Sequence, residues 1–167
     1  MDPVIALIAH DSQVDGIVAL SQKYRSVLAR YHLIATGDIS QHLEAATGLT
    51  IEHLASEIEG GVLQIAARVV AQEVIGVICL MDPLTPHPHP ADYQSLLRIC
   101  NFYNVPLATN LAIAELAIQG VAKRREAYLI FNPVAGQGNP DRELELIRQI
   151  LDPQVNLHTI FTQPDID

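Results

Sequence analysis

The strongest constraint on the fold is an alternation between short apolar runs and segments with helical spacing of their apolar residues. The runs VIALIAH (4–10), HLIATG (32–37), VIGVICLM (74–81) and VPLATN (105–110) are typical of strands covered on both faces. Helical patterns separate these runs. Right-handed crossovers between such strands give a parallel sheet with helices on both faces. The sequence therefore predicts an α/β fold, a doubly wound parallel sheet sandwich.

Composition narrows the class of protein. With 167 residues, 49% hydrophobic and 17% charged, the chain suits one buried domain and part of another. No apolar run approaches the roughly 20 residues of a membrane span, and no basic segment precedes the first run, so we expect a cytoplasmic protein without a membrane partner. The net charge of −9 argues against a nucleic-acid partner. The two cysteines form no C-x-x-C pair and are expected to be buried free thiols.

Polar clusters follow the ends of the predicted strands. They are His10-Asp11, Thr36-Gly37-Asp38, the segment from Asp82 to Asp92, and Thr109-Asn110. In open α/β sheets, ligands bind beyond the carboxyl ends of the strands. The sequence therefore predicts a functional site at this edge of the sheet.

The segment from Asp82 to Asp92 carries four prolines and two histidines, His87 and His89. A structural metal site needs about four ligands, usually with thiolates or regularly spaced histidines, and no cysteine is near, so we predict no metal site. Prolines stiffen the segment. From these residues alone, a rigid surface connection and a catalytic loop remain equally good interpretations.

A second unit begins near residue 126. AYLIFNPVAGQGNP reads as a strand and a glycine loop, DRELELIRQIL as a helix, and VNLHTIFTQ as another strand. This extra C-terminal β-α-β segment either adds to the edge of the first sheet or begins another domain. The basic stretch AKRRE marks the boundary, so we predict domains at 1–124 and 125–167.

Five segments, IALIAHDS, LIATG, HLEAATGL, DPLTPHPHPAD and VPLATN, occur in collinear order between residues 3 and 121. Together they resemble the methylglyoxal synthase family. The resemblance implies a doubly wound α/β sandwich, a homo-oligomer that is usually a hexamer, and elimination of phosphate from dihydroxyacetone phosphate to give methylglyoxal. We predict no cofactor. The same fold also forms regulatory ligand-binding domains in carbamoyl-phosphate synthetases.

The resemblance also assigns roles to residues. Such an elimination needs a carboxylate that removes a proton alpha to a carbonyl, donors that stabilise the enediolate oxygen, and a phosphate pocket. Through the matching segments, the implied catalytic residues are His89, Asp82, Asp92, His10 and Asp11. The implied substrate-binding residues are Thr36, Gly37, Ser56, Gly60 and Gly61.

The chain departs from the family at the general base. The family's SGPxGGDQQ segment reads SEIEGGVLQ here, so Val62 stands where the resemblance places an aspartate. Valine cannot accept a proton, and loss of a general base commonly costs about 10²–10⁴-fold in rate. Glu57 or Glu59 could serve as a substitute base. The sequence therefore predicts an activity that is weakened or lost.

The implied phosphate pocket departs as well. Asp38 and Ile39 replace two threonines of the family's ATGTTG segment, although Thr36 and Gly37 remain. The family's lysine after AHD aligns with Val14. A phosphomonoester would therefore meet less positive charge, so a ligand less anionic than a triose phosphate is the alternative.

The segment IFNPVAGQGNP resembles the opening strand and glycine loop of diacylglycerol-kinase-type lipid kinases, of which only about 40 residues are present. It implies that residues 125–167 are the N-terminal fragment of such a domain in a longer fusion protein. Two functions follow: a methylglyoxal synthase with weakened activity, or a small-ligand-sensing regulatory module of a fused lipid kinase. An oligomerising platform is a third, purely structural interpretation.

Overall fold

The computed structural model describes residues 3–85, 89–122, 125–132, 139–151 and 155–162. The chain divides into two compact units, residues 1–119 and residues 120–167. The sequence places the domain boundary a few residues later, after residue 124. Each unit is described by itself.

The first unit is built on a five-stranded sheet in which every pairing is parallel. Its strands are β1 (Val4–Ala9), β2 (His32–Ala35), β3 (Ile51–His53), β4 (Val74–Leu80) and β5 (Leu107–Ala108), in the order β3-β2-β1-β4-β5. Its helices are a 3-10 turn (Asp11–Gln13), α1 (Val14–Lys23), α2 (Arg25–Leu28), α3 (Gly37–Thr47), α4 (Gly61–Val70), α5 (Pro90–Phe102) and α6 (Leu111–Ala122). The predicted α/β fold with a parallel sheet is confirmed.

Two apolar cores cover the two faces of the sheet. Successive side chains of a strand point to opposite faces. Ile5 and Leu7 of β1 accordingly belong to a different core from their neighbours Ala6 and Ile8. One core is completed by buried residues of α1, α3 and α6, and the other by buried residues of α4 and α5. The continuous apolar pattern of β1 therefore reflects a strand buried on both faces.

Local details differ from the sequence interpretation in two places. The sequence did not indicate β3, because its three residues include Glu52 and His53 and form no apolar run. The helical pattern that separates the first two predicted strands is broken at Tyr24, which lies between α1 and α2. Cys79 and Cys100 are buried and free, as predicted. No helix in the described part of the chain is long and apolar enough to cross a membrane.

The second unit contains the predicted β-α-β order. Its elements are β6 (Arg125–Phe131), α7 (Pro140–Leu151) and β7 (Val155–Phe161). The two strands pair with each other in parallel, from Arg125 opposite Val155 to Phe131 opposite Phe161, and form a sheet of their own. The Asn139 side chain accepts a hydrogen bond from the Arg142 N–H at the start of α7. Residues 133–138 of the glycine loop lie outside the described residues, so the resemblance of this loop to that of lipid kinases stays a prediction.

Candidate functional site

A pocket lies at the carboxyl edge of the sheet, where β1 and its neighbour β2 end. Its volume is about 170 Å³. Three segments form it: the end of β1 with the following 3-10 turn, the start of α3, and the turn before α4. Its lining residues are Ala9, Asp11, Thr36, Ile39, Ser56, Glu57 and Ile58. The structure thus brings together three of the predicted site residues, Asp11, Thr36 and Ser56, at the predicted edge.

Thr36 contributes a buried hydroxyl to this pocket. It directly precedes α3, in the position where a threonine side chain commonly caps a helix. Its side chain makes no such cap, is only 1% exposed, and its hydroxyl has no hydrogen-bond partner among the described residues. A buried unpaired hydroxyl costs about 1–3 kcal/mol. This orphan hydroxyl is a group that a bound ligand would satisfy.

The turn before α4 is held against the start of α3 by backbone contacts. The Gly37 N–H donates to the Ala55 carbonyl at 3.2 Å, and the Gly61 N–H donates to the Ser56 carbonyl at 2.9 Å. A Cβ on Gly61 would overlap the Ala55 carbonyl oxygen, and Gly60 has a φ of +93°. The two glycines therefore have a structural role in placing the pocket wall. Their role in substrate binding stays a prediction.

Two acidic residues of this turn have different environments. The Glu59 carboxylate accepts hydrogen bonds from the Ser56 hydroxyl at 2.8 Å and the Ser56 N–H at 3.3 Å, which lower the pKa of Glu59. Glu57 lines the pocket and interacts with Tyr93. Burial raises the pKa of Tyr93 above its usual range, and the adjacent Glu57 carboxylate raises it further. Burial likewise raises the pKa of the Cys79 thiol to about 12, with a smaller contribution from Glu57. Of the two possible substitute bases, Glu57 is therefore the one that lines the pocket.

A second polar network lies at the ends of β1 and β4. The Asp82 carboxylate accepts hydrogen bonds from the Leu84 N–H at 2.8 Å, the Thr85 hydroxyl at 2.8 Å and the Ser12 hydroxyl at 2.9 Å. Nδ1 of His10 lies 3.0 Å from the Ser12 hydroxyl and 3.9 Å from the Asp82 carboxylate. The three hydrogen bonds that Asp82 accepts, of which the one from the Leu84 N–H has the largest effect, lower the pKa of Asp82 from 3.8 to about 2. Asp82 therefore orders the start of its loop and links it to the end of β1.

This network gives a pH dependence. Because the folded pKa of Asp82 is lowered, its ionised form stabilises the folded loop above pH 3.8, and this contribution is lost as the pH falls from 3.8 toward 2. We expect the Asp82 carboxyl carbon to titrate near pH 2 in a carbon NMR experiment. Thr85→Val removes one donor and should move that midpoint toward 3.8. Thr50→Val, in the exposed loop before β3, should leave it unchanged; a wild-type midpoint near 3.8 would contradict the geometry.

Similar proteins and solved structures identify the family of this chain. The MGS-like domain family matches residues 16–109 of the chain. Methylglyoxal synthase of Thermus thermophilus is 49% identical over 119 residues, which are 71% of this chain and 94% of that protein. The chain belongs to the methylglyoxal synthase family. The crystal structure of methylglyoxal synthase from Elizabethkingia anophelis has a TM-score of 0.66 and 31% identity, and the match covers 70% of this chain and 77% of that one.

A longer relative matches both units. An uncharacterised protein of Synechocystis is 45% identical over 163 residues, which are 98% of this chain. The chain spans only 38% of the length of that relative. The MGS-like domain match lies within the first unit, whereas the match to the Synechocystis protein spans 98% of the chain and so includes both units.

Val62 occupies the position where the family resemblance places the general base. It lies in the first turn of α4, is 1% exposed, and packs in the apolar core on that face with Ile65 and Tyr93. It is not among the residues that line the pocket, whereas Glu57 is. In this methylglyoxal synthase family member, an apolar side chain buried in the core therefore occupies the position where the resemblance places the base.

The remaining predicted catalytic residues lie at the start of α5. His89 is half-buried and directly precedes this helix, and its carbonyl accepts the Asp92 N–H at 3.2 Å. Asp92 lies in the first helical turn, where a negative charge is favourable. Neither is among the pocket-lining residues, so their catalytic roles stay predictions, and His87 lies outside the described residues. Within the described ranges, no group of three or more His, Cys, Asp or Glu side chains is placed to hold a metal ion.

Proposed function

We propose that the first unit is a small-molecule-binding domain of the methylglyoxal synthase family in which phosphate elimination from dihydroxyacetone phosphate is strongly reduced or lost. The observation that supports this most directly is Val62, an apolar, fully packed residue at the implied position of the base. No proton can be removed by that side chain.

The charges around the pocket support the same proposal. Asp11 and Glu57 line it, and no lysine, arginine or histidine is among its described lining residues. Two like charges about 4 Å apart repel by roughly 4 kcal/mol at an effective dielectric constant of 20. A phosphate dianion would meet this repulsion without a cation in that described lining to offset it. The pocket is therefore a poor phosphate site.

The test is phosphate release from dihydroxyacetone phosphate, measured side by side with the Thermus thermophilus methylglyoxal synthase as a positive control. We expect a rate about 10²–10⁴-fold lower than that of the control, the usual cost of losing a general base. A rate within tenfold of the control would contradict the proposal. In that case Glu57→Gln would test the substitute base, because Glu57 is the glutamate found among the described lining residues.

A second candidate is a sensing module that regulates a fused diacylglycerol-kinase-type lipid kinase. Support comes from the sequence IFNPVAGQGNP and from the Synechocystis relative, which continues well beyond the matched region. A sensing domain must bind a metabolite, and a ligand at 100 times its dissociation constant stabilises the folded state by about 2.7 kcal/mol. A flat thermal-shift response to a panel of glycolytic intermediates and common nucleotides would remove this candidate.

We also propose an assembly and a location from the family resemblance and the composition. The protein forms a homo-oligomer, a hexamer by resemblance, and lies in the cytoplasm. It binds a small-molecule ligand and no nucleic acid. Light scattering on the purified chain distinguishes a hexamer from a monomer, and a monomer would also remove the interpretation as an oligomerising platform.

A further inference from the structure

We propose that the pocket binds a small hydroxylated primary amine in its ammonium form. This inference rests on the proposed binding function and names the chemical class of its ligand.

The charge of the lining points to a cation. Asp11 and Glu57 come from different segments, the 3-10 turn after β1 and the turn before α4, and both line the same pocket. An ammonium group donates up to three hydrogen bonds, and charge-assisted bonds to carboxylates are among the strongest in proteins. The start of α3 contributes only about half a positive charge. Two full negative charges therefore outweigh it.

The orphan hydroxyl is the second, independent observation. Thr36 lines the pocket, is only 1% exposed, and its hydroxyl has no partner among the described residues. A hydroxyl can both donate and accept a hydrogen bond. It is complementary to a ligand hydroxyl placed beside the ammonium group, which is why we infer an amino alcohol rather than a plain alkylamine.

The volume sets the size of the ligand. A protein cavity of about 150 Å³ holds benzene, which has about six heavy atoms. The pocket, at about 170 Å³, is similar. We therefore expect a ligand, or a recognised head group, of about six heavy atoms.

The experiment uses three probes on the complete 167-residue chain. Serinol (2-amino-1,3-propanediol) carries the ammonium group, glycerol is its neutral counterpart with the same number of heavy atoms, and inorganic phosphate is the anionic probe. Amide NMR titrations at pH 7 and low salt give the dissociation constants. We expect serinol to shift the amides of Thr36, Ser56 and Glu57, glycerol to bind at least tenfold more weakly, and phosphate to cause no saturable shifts. Added salt should weaken serinol binding, because the attraction is between charges.

Three variants distinguish recognition of serinol in the pocket from a general effect of the protein's negative charge. Glu57→Gln keeps the size of the side chain and should weaken serinol binding at least tenfold without changing glycerol binding. The preference for serinol over glycerol should then disappear. Asp15→Asn removes one exposed negative charge from α1 and should change serinol binding less than twofold. Thr36→Val should weaken the binding of both serinol and glycerol. It should leave the folded state at least as stable, because the hydroxyl it removes is unpaired among the described residues.

The outcomes distinguish this inference from the proposed function. Equal binding of serinol and glycerol, unchanged discrimination in Glu57→Gln, or no saturable shift with any probe would overturn the amine inference and leave the phosphate-release result standing. Tight phosphate binding together with rapid turnover of dihydroxyacetone phosphate would overturn both.

Discussion

Gly61→Ala is expected to lower the free energy of unfolding by about 3 kcal/mol or more. The added Cβ would overlap the Ala55 carbonyl oxygen and lie 3.0 Å from the Ser56 carbonyl oxygen. Both are backbone atoms, so no flexible side chain can move aside. The same turn is held by the hydrogen bond from the Gly61 N–H to Ser56 at 2.9 Å, so the clash can be relieved only by moving the pocket wall. Overpacking of this kind is among the few causes of large single-residue effects.

Two other glycines serve as matched controls in the same urea unfolding experiment. Gly60 has a φ of +93° but open space around its Cβ position, so Gly60→Ala should cost only the backbone strain, about 1–2 kcal/mol. Gly16 lies inside α1, where a Cβ would make ordinary contacts at 3.5 Å, so Gly16→Ala should stabilise the fold by up to about 1 kcal/mol. If Gly61→Ala costs no more than Gly60→Ala, the close approach of the turn to Ala55 is wrong.

Val62→Asp is expected to destabilise the protein by about 3 kcal/mol or more at pH 7 without restoring rapid phosphate release. The substitution places a carboxylate in the apolar core that Val62 shares with Ile65, Val69 and Tyr93. An ionised group without a partner is costly there. The first turn of α4 favours a negative charge by only about 0.3–1 kcal/mol, which offsets a small part of this cost. One substitution at the implied base position is therefore not expected to recover the family's chemistry.

Val62→Asn is the control, because asparagine resembles aspartate in size and polarity but cannot ionise. Burial raises the pKa of an aspartate, so the extra cost of Asp over Asn should be present at pH 7 and shrink as the pH falls and the carboxyl becomes protonated. Urea unfolding at pH 7 and pH 5 measures this difference. If Val62→Asp were as stable as Val62→Asn at pH 7 and raised phosphate release about 100-fold, the carboxylate would reach a substrate site and the enzyme interpretation would be revived.

The layered fold could be predicted from the sequence because its signal is local and repeated. A strand covered on both faces has no polar positions, as in β1 and β4, and the helices between strands keep an apolar stripe. The exceptions were short or mixed elements. β3 has three residues and carries Glu52 and His53, and the break at Tyr24 interrupts a helical pattern that continues on both sides. Neither leaves a periodic pattern long enough to detect.

Some features of the candidate site were likewise determined by the sequence, and others only by the tertiary structure. Its place at the carboxyl edge, and the presence of Val62 where the family resemblance expects an aspartate, were determined by the sequence alone, since the succession of strands and helices along the chain and the identity of each residue require no coordinates. Only the tertiary structure decided that Glu57 lines the pocket while Glu59 bonds to Ser56, and that the Thr36 hydroxyl is left without a partner among the described residues. These outcomes depend on which atoms distant segments bring together, and two glutamates separated by one residue look alike until the chain is folded.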